Sequence, residues 1–535
     1  MALLSVTGLF TLFYGQNQTK KPKLSYESGL YEEPINLNMK AGIGAKIYYT
    51  LDGSNPTRDS ILYNGEAILL DDASAQENRI SARTDMSIKE YDVPDFNIDK
   101  SWCIKAKAFY TDIDEGSEIV TANYLVKSKD ELAKYRATDV IFLTMDPVDL
   151  IDYDNGMMVK GAYFDGYLRE EGLTEQDVLE KGYSDINIKA NYARVVRYKF
   201  EKKTNLQHFR DGDLLYEGFY GIRNRGSSSS NGPKKTYNLF YREEYSDDLY
   251  NKDIFLCKKP QDKMVLKRED CLLRDSLYEA LFTGTDMKIA DQGVPVQLFI
   301  NGEYWGLYSL EEKLDENWYS THIGVPGEKV TVVKNHSVEI GKSDADLELD
   351  ELIEFCQTHD MSEDENYNYF CDRVDIDSFL LYYAAIFYLD ARDFLEMYNT
   401  MQWRVEGEKW QWSLYDLDNS AADSGQDTLN EELKPGKDNP IGGHIMFSAV
   451  MENPKAQELY VQKVQELKEI LSYEKVCSVL EGQRETIVAA GLNDNRRWGF
   501  EVNWDEEITR TENFFKERPL YVDAYVEKYI ESKKD

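Results

Sequence analysis

A glycine- and serine-rich loop flanked by basic residues is the first segment suited to chemistry. It lies within GIRNRGSSSSNGPKKTYNLFYR, where Arg223 and Arg225 precede the loop and Lys234 and Lys235 follow it. Backbone N–H groups in a concave loop, hydroxyls and a lysine ammonium are the donors that bind a polyphosphate. The spacing is not that of a Walker A motif. A polar hairpin loop with no ligand remains the alternative.

Carboxylates follow two elements in the second half of the chain. Asp416 and Asp418 end the segment WQWSLYDLD, which alternates like a strand, and alternate strand residues face one side, where both carboxylates would face one cation. Asp393 and Asn399 follow a long apolar run. In the catalytic loops of protein kinases, an Asp orients the attacking hydroxyl and an Asn holds a magnesium ion. The alternatives are an Asp-rich turn, with Asp418 as a helix N-cap, and a solvated helix end.

Two glutamates, Glu311 and Glu312, follow a strand-like segment, where one would pair with a phosphate-binding lysine. Surface carboxylates are the alternative for at least one of them. The five histidines form no i, i+4 pair and no Gly-x-Ser-x-Gly motif occurs, which excludes HExxH metalloprotease and nucleophile-elbow chemistry. Glycoside hydrolysis by paired carboxylates stays open, because 98 acidic residues always supply a close pair.

Strands and helices alternate in the part of the chain that holds these residues, and helices dominate its end. This order predicts an α+β domain over residues 139–535 that is helical from about 440. Asn301-Gly302 is typical of a two-residue hairpin turn. The predicted elements are the strands Val140–Met145, Tyr192–Lys202 and Phe219–Gly226, the helices Arg268–Thr283 and Ile376–Leu389, and a helical region from Lys455.

The first quarter of the chain has a different pattern, with short alternating runs and turn residues between them. Strands are predicted around Ile47–Thr50, at Ser101–Tyr110 and at Ile119–Val126. Together they predict a small β-sandwich over residues 24–127, joined by a linker at 128–138. Residues 1–23 include an apolar stretch too short to span a bilayer, and whether it directs export stays open.

The 535 residues carry 62 basic and 98 acidic side chains, a formal charge of −36. This balance argues against general nucleic-acid binding and against anionic membrane surfaces. A 42% hydrophobic content excludes disorder as a description of the whole chain, and no run in its body reaches membrane length. The six cysteines form no Cys-x-x-Cys motif, and pairing of Cys356 with Cys371 stays open.

Several of these segments, in order over about residues 139–533, resemble the spore coat protein H (CotH) kinase family. The resemblance is carried by GIRNRGSSS…PKKTYNLFYR, LLRDSLYEAL, VQLFINGEYWGLYSLEEKLDENW, Asp393…Asn399…Trp403-Arg404, WQWSLYDLD and NRRWG. In the first region, IYYTLDGSNPT is similar to the chitobiase/β-hexosaminidase C-terminal-like domain, a β-sandwich often found beside secreted catalytic domains.

The resemblance implies an atypical protein-kinase-like fold that binds ATP with Mg²⁺ or Mn²⁺ and phosphorylates Ser or Thr of a protein. Asp393 would be the catalytic base. Lys235 would touch the ATP phosphates, with Glu312 as its ion-pair partner. The other implied residues are Arg225, Ser228, Ser229 and Lys234 toward the nucleotide, and Asn399 with Asp416 or Asp418 toward the metal.

The chain departs from the family pattern at three places that bear on activity, one of which is that Asp393 lies one residue farther from Asn399 than the family spacing. Ser227 stands where the loop usually has Asn or Gly, and Asn419-Ser420-Ala421-Ala422 follows the Asp-x-Asp in place of an aromatic residue and Gly. A secreted or surface protein with a weak or inactive kinase-like body, binding a glycan or a protein partner, is therefore the alternative. An active enzyme is expected to take basic, Ser-rich protein substrates. An extracellular or cell- or spore-surface location is expected, with the cytoplasm left open.

Overall fold

The structure is a computed structural model in which three regions pack together: an N-terminal β region, a closed barrel, and a second sheet surrounded by helices. It describes residues 21–111, 115–181, 188–198, 200–226, 228–245, 262–269, 274–285, 287–289, 293–391, 394, 399–433 and 442–534. The chain is thus a mixed α+β protein with a β-rich beginning and a helical end, as the sequence predicts.

The N-terminal region is built from short strands whose apolar residues alternate. The main sheet has the order β2-β9-β8-β5-β6, and two-stranded ladders, β1-β4 and β3-β7, accompany it. Leu37, Leu70, Ile104 and Tyr124 are buried in the shared core. The strands are β1 (Lys23–Leu24), β2 (Gly29–Tyr31), β3 (Ile35–Leu37), β4 (Met39–Lys40), β5 (Lys46–Thr50), β6 (Ile61–Leu62), β7 (Ile68–Leu70), β8 (Trp102–Phe109) and β9 (Val120–Val126).

Seven strands close into a barrel that follows this region. Their order is β10-β11-β12-β13-β14-β17-β16, and β16 returns to pair in parallel with β10. The interior side chains include Ile222, Leu239, Leu266 and Leu310. The strands are β10 (Asp139–Thr144), β11 (Lys202–Arg210), β12 (Asp213–Arg225), β13 (Thr236–Tyr241), β14 (Lys263–Arg268), β16 (Gly293–Ile300) and β17 (Glu303–Glu312).

Two sequence predictions fall on the barrel with opposite outcomes. The hairpin is confirmed, because Asn301 and Gly302 join β16 to β17 with φ of 45° and 88°, the backbone that an Asn-Gly turn favours. The strand predicted at Tyr192–Lys202 is wrong, because Asn191–Tyr198 is a helix and β11 begins only at Lys202. The β-branched run suggested a strand, but burial of Tyr192 beside Phe164 in a local helical cluster outweighs that propensity.

Helices connect and flank the barrel. The predicted linker, residues 128–138, contains a helix whose Leu132 and Tyr135 are buried with barrel residues. The helices from the linker to β14 and just after it are α1 (Lys129–Arg136), α2 (Pro147–Leu150), α3 (Gly161–Glu171), α4 (Glu175–Lys181), α5 (Asn191–Tyr198) and α6 (Arg274–Phe282).

The second sheet has five short strands in the order β15-β21-β20-β18-β19. They are β15 (Lys288–Ile289), β18 (Val330–Lys334), β19 (Ser337–Ile340), β20 (Met401–Val405) and β21 (Gln411–Leu414). The remaining helices are α7 (Glu316–His322), α8 (Leu347–Thr358), α9 (Asp364–Cys371), α10 (Ile376–Tyr388), α11 (Thr428–Glu432), α12 (Gly442–Val450), α13 (Pro454–Ile470), α14 (Tyr473–Trp498), α15 (Trp504–Glu517) and α16 (Pro519–Ser532).

Helix α10 is the centre of the largest core, as its apolar sequence predicts, since every residue from Phe379 to Tyr388 is buried. Among the described residues, no helix is long and apolar enough to cross a bilayer. Cys103, Cys356, Cys371 and Cys477 are free thiols, so Cys356 and Cys371 are not paired.

Helix α14 fixes the helical region to the barrel. The Asp494 carboxylate accepts a hydrogen bond from the Leu307 backbone N–H at 2.8 Å, and its other oxygen pairs with the Lys234 ammonium at 2.9 Å. The Trp498 indole N–H donates to the Trp305 carbonyl at 3.0 Å. These contacts hold α14 against the barrel.

Candidate functional site

A cleft of about 220 Å³ separates the outside of the barrel from the second sheet. Both polar and apolar side chains line its walls. Its lining residues are Arg225, Asn238, Glu312, Lys313, Leu314, Tyr319, Val332, Lys334, Glu339, Ile340, Met401 and Tyr415. Because both regions contribute walls, a ligand in the cleft would contact the barrel and the sheet at once.

Strand register brings two cations to the barrel face that borders the cleft. Arg225 on β12 pairs with Thr236 on β13, and Lys267 on β14 pairs with Ser309 on β17. The interleaved residues Tyr237 and Leu266 face the barrel interior. Since successive strand residues point to opposite faces, Arg225 and Lys267 share the outer face.

Asp416 lies two residues after β21 and follows Tyr415, which lines the cleft on the side of the second sheet. Its Oδ1 is 2.7 Å from the Lys267 ammonium, and its backbone carbonyl is 3.4 Å from the Asn399 amide nitrogen. Burial tends to raise the pKa of the Asp416 carboxyl, but Lys267, together with Arg225 and Lys334, outweighs burial and holds this pKa below its usual range. Asp416 is therefore an ionised carboxylate surrounded by cations.

Basic side chains outnumber acidic ones at this cleft, which Glu312 and Glu339 also line, although the chain as a whole is strongly acidic. Burial and the neighbouring charge of Arg225 lower the pKa of Lys313. The Lys334 ammonium lies 4.0 Å from the centre of the Tyr415 ring. With Arg225 and Lys267, these side chains form a group of four cations, named here the cleft cations. Such a concentration attracts polyanions such as phosphates.

The cleft also offers groups that suit a nucleotide and a metal ion. The Asn238 side-chain oxygen is buried and has no hydrogen-bond partner among the described residues, so a ligand donor would satisfy it. No group of three His, Cys, Asp or Glu suited to a metal occurs in the described part of the chain. Asn399 and Asp416 supply neighbouring oxygens, and magnesium commonly uses one or two protein ligands beside phosphates and water.

The two adjacent lysines expected to bind nucleotide do not line this cleft. Lys235 is fully buried, and its ammonium donates to the carbonyls of Met86, Ser230 and Gly232 at 2.8–2.9 Å. Lys235 lies two residues before Tyr237 of β13 and shares its strand face. That face points into the barrel. Burial and the charge of Arg268 lower the pKa of Lys235.

Lys234 is also turned away, since its ammonium contacts the Glu269 carbonyl at 2.6 Å and Asp494. The barrel instead places Lys267 beside the cleft, where its partner Asp416 follows the cleft-lining Tyr415.

Glu312 lies at the cleft, but Lys235 is not its partner. Its Oε2 is 2.7 Å from the His322 ring nitrogen, and the His322 ring stacks on Trp318 at 4.6 Å between centroids. The expected Lys235–Glu312 ion pair is thus absent, because β17 presents Glu312 at the barrel end and Lys235 is held by backbone carbonyls.

None of the remaining predicted site residues is among the described residues that line the cleft. Asp393 lies outside the described residues. Ser228 and Ser229 belong to a 3₁₀ turn, Ser228–Asn231, and their side chains are also outside the description. The carbonyl of Asp418 accepts a hydrogen bond from Arg274 at 2.8 Å. The strand argument for Asp416 and Asp418 does not apply, because β21 ends at Leu414 and Asp416 has φ of 58°.

The sequence analysis did not select Lys267, Lys313 or Lys334 as candidate site residues. The signal for Lys267 is the segment KMVLKR, in which Lys263 and Lys267 share one strand face with Val265, opposite Met264 and Leu266. No comparable local pattern marks Lys313, which follows β17 of the barrel, or Lys334, which ends β18 of the second sheet.

The fold and cleft define an α+β protein with a cleft lined by charged and apolar side chains between a barrel and a sheet-and-helix region. Residues 222–522, more than half of the chain, match the model of the CotH kinase protein family, and the chain belongs to this family. Residues 26–121 match the chitobiase/beta-hexosaminidase C-terminal domain. No curated protein matches the chain.

Proposed function

We propose that this protein binds ATP with a divalent cation in the cleft and transfers the γ-phosphate to a Ser or Thr hydroxyl of a protein. The observation that carries the proposal is the group of cations around Asp416 in a chain of net charge −36. Lys267 contacts this carboxylate at 2.7 Å, and Arg225 and Lys334 also lower its pKa. Membership of the CotH kinase family supports the same class of reaction. A barrel above a helical region, with the cleft between them, agrees with an atypical protein-kinase-like arrangement.

The cleft supplies two environments for the two ends of a nucleotide. Val332, Ile340, Met401 and Tyr415 form an apolar wall suited to a base, and the unsatisfied Asn238 oxygen suits an N–H or O–H donor of the ligand. Lys267, beside Asp416, marks the phosphate end. In this proposal the ligand lies across the cleft with its base against the second sheet and its phosphates toward Lys267.

Phosphoryl transfer depends mostly on positioning and on neutralising charge. Lys267, Arg225 and Lys334 would bind phosphate oxygens, and Asn399 and Asp416 would hold the metal ion, which when bound neutralises the same charge. The substrate oxygen forms a bond to the γ-phosphorus, and the bond to the β–γ bridging oxygen breaks to release ADP. The hydroxyl proton passes to a carboxylate, a role that the family resemblance assigns to Asp393.

Substrates are proposed to be basic and Ser-rich, because the surface charge of this chain repels acidic segments. Transfer rates on matched basic and acidic Ser peptides, measured at low salt, test this point. Faster transfer to the basic peptide is expected, and equal rates would contradict it.

A second candidate rests on the chitobiase-like domain match over residues 26–121. In this second candidate function, the protein binds a glycan or a protein partner through this domain, and its kinase-like body has little activity. We also propose a location outside the cell or at the cell or spore surface, because this domain type is often found beside secreted catalytic domains.

One experiment separates the two candidates. The purified full chain is incubated with labelled ATP and Mg²⁺ or Mn²⁺, with Asp393→Asn as the inactive variant and Asp59→Asn, an exposed carboxylate, as the matched control. Transfer by the wild type and the control but not by Asp393→Asn supports the kinase. A nucleotide-induced thermal shift without transfer supports the inactive alternative. The absence of both transfer and thermal shift would contradict nucleotide binding.

A further inference from the structure

The N-terminal domain sends a segment into the barrel. Residues 71–101 connect β7 to β8, and the stretch from Arg79 to Tyr91 is named here the plug. Ile80 and Met86 of the plug are 4% and 1% exposed and belong to the barrel core. The core of the kinase-family domain is therefore completed by side chains from a different domain.

A buried carboxylate of the barrel holds the beginning of the plug. Glu303, the first residue of β17, is fully buried, and its two oxygens accept the backbone N–H groups of Arg79, Ile80 and Ser81 at 2.7–3.1 Å. An unsatisfied buried carboxylate would be costly, so the three N–H donors and the carboxylate depend on each other.

The middle of the plug contacts the turn that follows β12. This turn, residues 228–235, is named here the serine turn. Lys235, at its end, donates one hydrogen bond to the Met86 carbonyl of the plug and two to the turn carbonyls of Ser230 and Gly232. The Ser87 hydroxyl donates to the Asn231 carbonyl at 2.7 Å. The buried Lys235 ammonium thus joins the two segments.

The serine turn connects two strands that both contribute to the cleft. Arg225 ends β12 just before the turn, and Asn238 lies on β13 just after it. Arg225 also pairs in register with Thr236, the residue that follows Lys235. A change in the turn would therefore displace both cleft residues.

We propose that Lys235 is a positioning residue through which the plug of the N-terminal domain sets the serine turn, and with it Arg225 and Asn238, for nucleotide binding. The proposal rests on the proposed function. It makes the chitobiase-like domain a structural part of the nucleotide site, in addition to any ligand of its own.

The test compares Lys235→Met and Ser87→Ala with Ser60→Ala in the full chain. Ser60 is a matched control, because its hydroxyl also forms a hydrogen bond to a backbone group of the N-terminal domain, at Thr57, away from the turn. Hydrogen–deuterium exchange of residues 228–235 is measured without nucleotide, and ATP affinity is measured by calorimetry. Ser87→Ala keeps the test decisive if Lys235→Met fails to fold.

We expect Ser87→Ala to speed exchange in the serine turn about fivefold, and Lys235→Met to speed it more, while β16 and β17 keep their wild-type exchange. ATP affinity should fall by about the same factors, with no change in Ser60→Ala. Unchanged exchange in the turn, or faster exchange with unchanged affinity, would overturn the proposal. A wild type that binds no ATP would contradict the proposed function instead, and the exchange result would still decide whether the plug sets the turn.

Discussion

The Lys267 ammonium lies 2.7 Å from the Asp416 carboxylate, so one ion pair joins the barrel to the segment that leaves the second sheet. The Asp416 side chain is 38% exposed and that of Lys267 is 16% exposed. Solvent thus reaches the pair from the Asp416 side, and a ligand in the cleft would compete with Asp416 for the Lys267 ammonium. We expect the phosphates of a nucleotide in the cleft to bind Lys267 in place of Asp416. The Asp416 carboxylate would then be available to the metal ion.

The first prediction concerns the metal. Asp416→Asn should raise the Mg²⁺ concentration needed for half-maximal transfer by about 10-fold or more, because a carboxylate ligand is lost. A Mg²⁺ titration of the transfer reaction measures it. Asp423→Asn, an exposed carboxylate later in the same loop, should behave like the wild type. Asp418→Asn is compared in parallel, and a larger effect there than in Asp416→Asn would move the metal site to Asp418.

The second prediction concerns the junction between the N-terminal domain and the barrel. Glu303→Ala removes the acceptor of three plug N–H groups and should lower the free energy of unfolding by about 2–4 kcal/mol. Chemical denaturation followed by circular dichroism measures this difference. Glu118→Ala, at an exposed glutamate of the same domain, should change it by no more than about 0.5 kcal/mol. Equal stability of the two variants would show that the carboxylate does not hold the plug.

The third prediction concerns acid sensitivity at the same junction. Asp99 pairs with Lys127 at 2.8 Å and with Lys134 at 2.7 Å. Burial alone would raise the pKa of Asp99, but the two lysines outweigh it and hold this pKa well below its usual range. The resulting stability is present above about pH 4, the ordinary range of Asp, and is lost as the pH falls toward the lowered pKa.

Asp99→Asn should therefore be less stable than the wild type near neutral pH and lose less stability between about pH 5 and pH 3. Unfolding free energies over this range measure the difference, with Asp59→Asn as an exposed control. Parallel pH profiles for the wild type and Asp99→Asn would contradict the assignment.

Local patterns in the sequence predict those parts of the fold that local interactions decide. The Asn301-Gly302 turn and the apolar helix α10 are examples, since backbone preference and uniform apolarity specify them. The helix Asn191–Tyr198 was missed because its β-branched residues favour a strand and only its packing partners select a helix. Closure of the barrel, which pairs β10 with β16, joins segments more than 150 residues apart and leaves no local signal.

The sequence singles out Lys235 for the candidate site, whereas the structure buries Lys235 and places Lys267 beside the cleft. Lys235 and Lys267 both adjoin strands of the barrel, and only strand register decides which faces inward. Lys235 follows the inward face of Tyr237, whereas Lys267 lies on the outer face with Arg225. Asp416 and Asp418 were expected on one strand face, but the strand ends before them. The family resemblance indicates the class of chemistry, whereas the positions of the individual side chains are known only from the structure.

The central claim is that the cleft binds ATP with Lys267 at the phosphate end, and calorimetric ATP affinity with Mg²⁺ tests it most directly. Lys267→Met removes the ammonium at the cleft. Lys203→Met removes an exposed ammonium from β11, where it lies over the Phe219 ring. We predict wild-type affinity for Lys203→Met and affinity about 10- to 100-fold weaker for Lys267→Met, the loss expected for one charge-assisted phosphate contact. Wild-type affinity in a folded Lys267→Met variant would contradict the account.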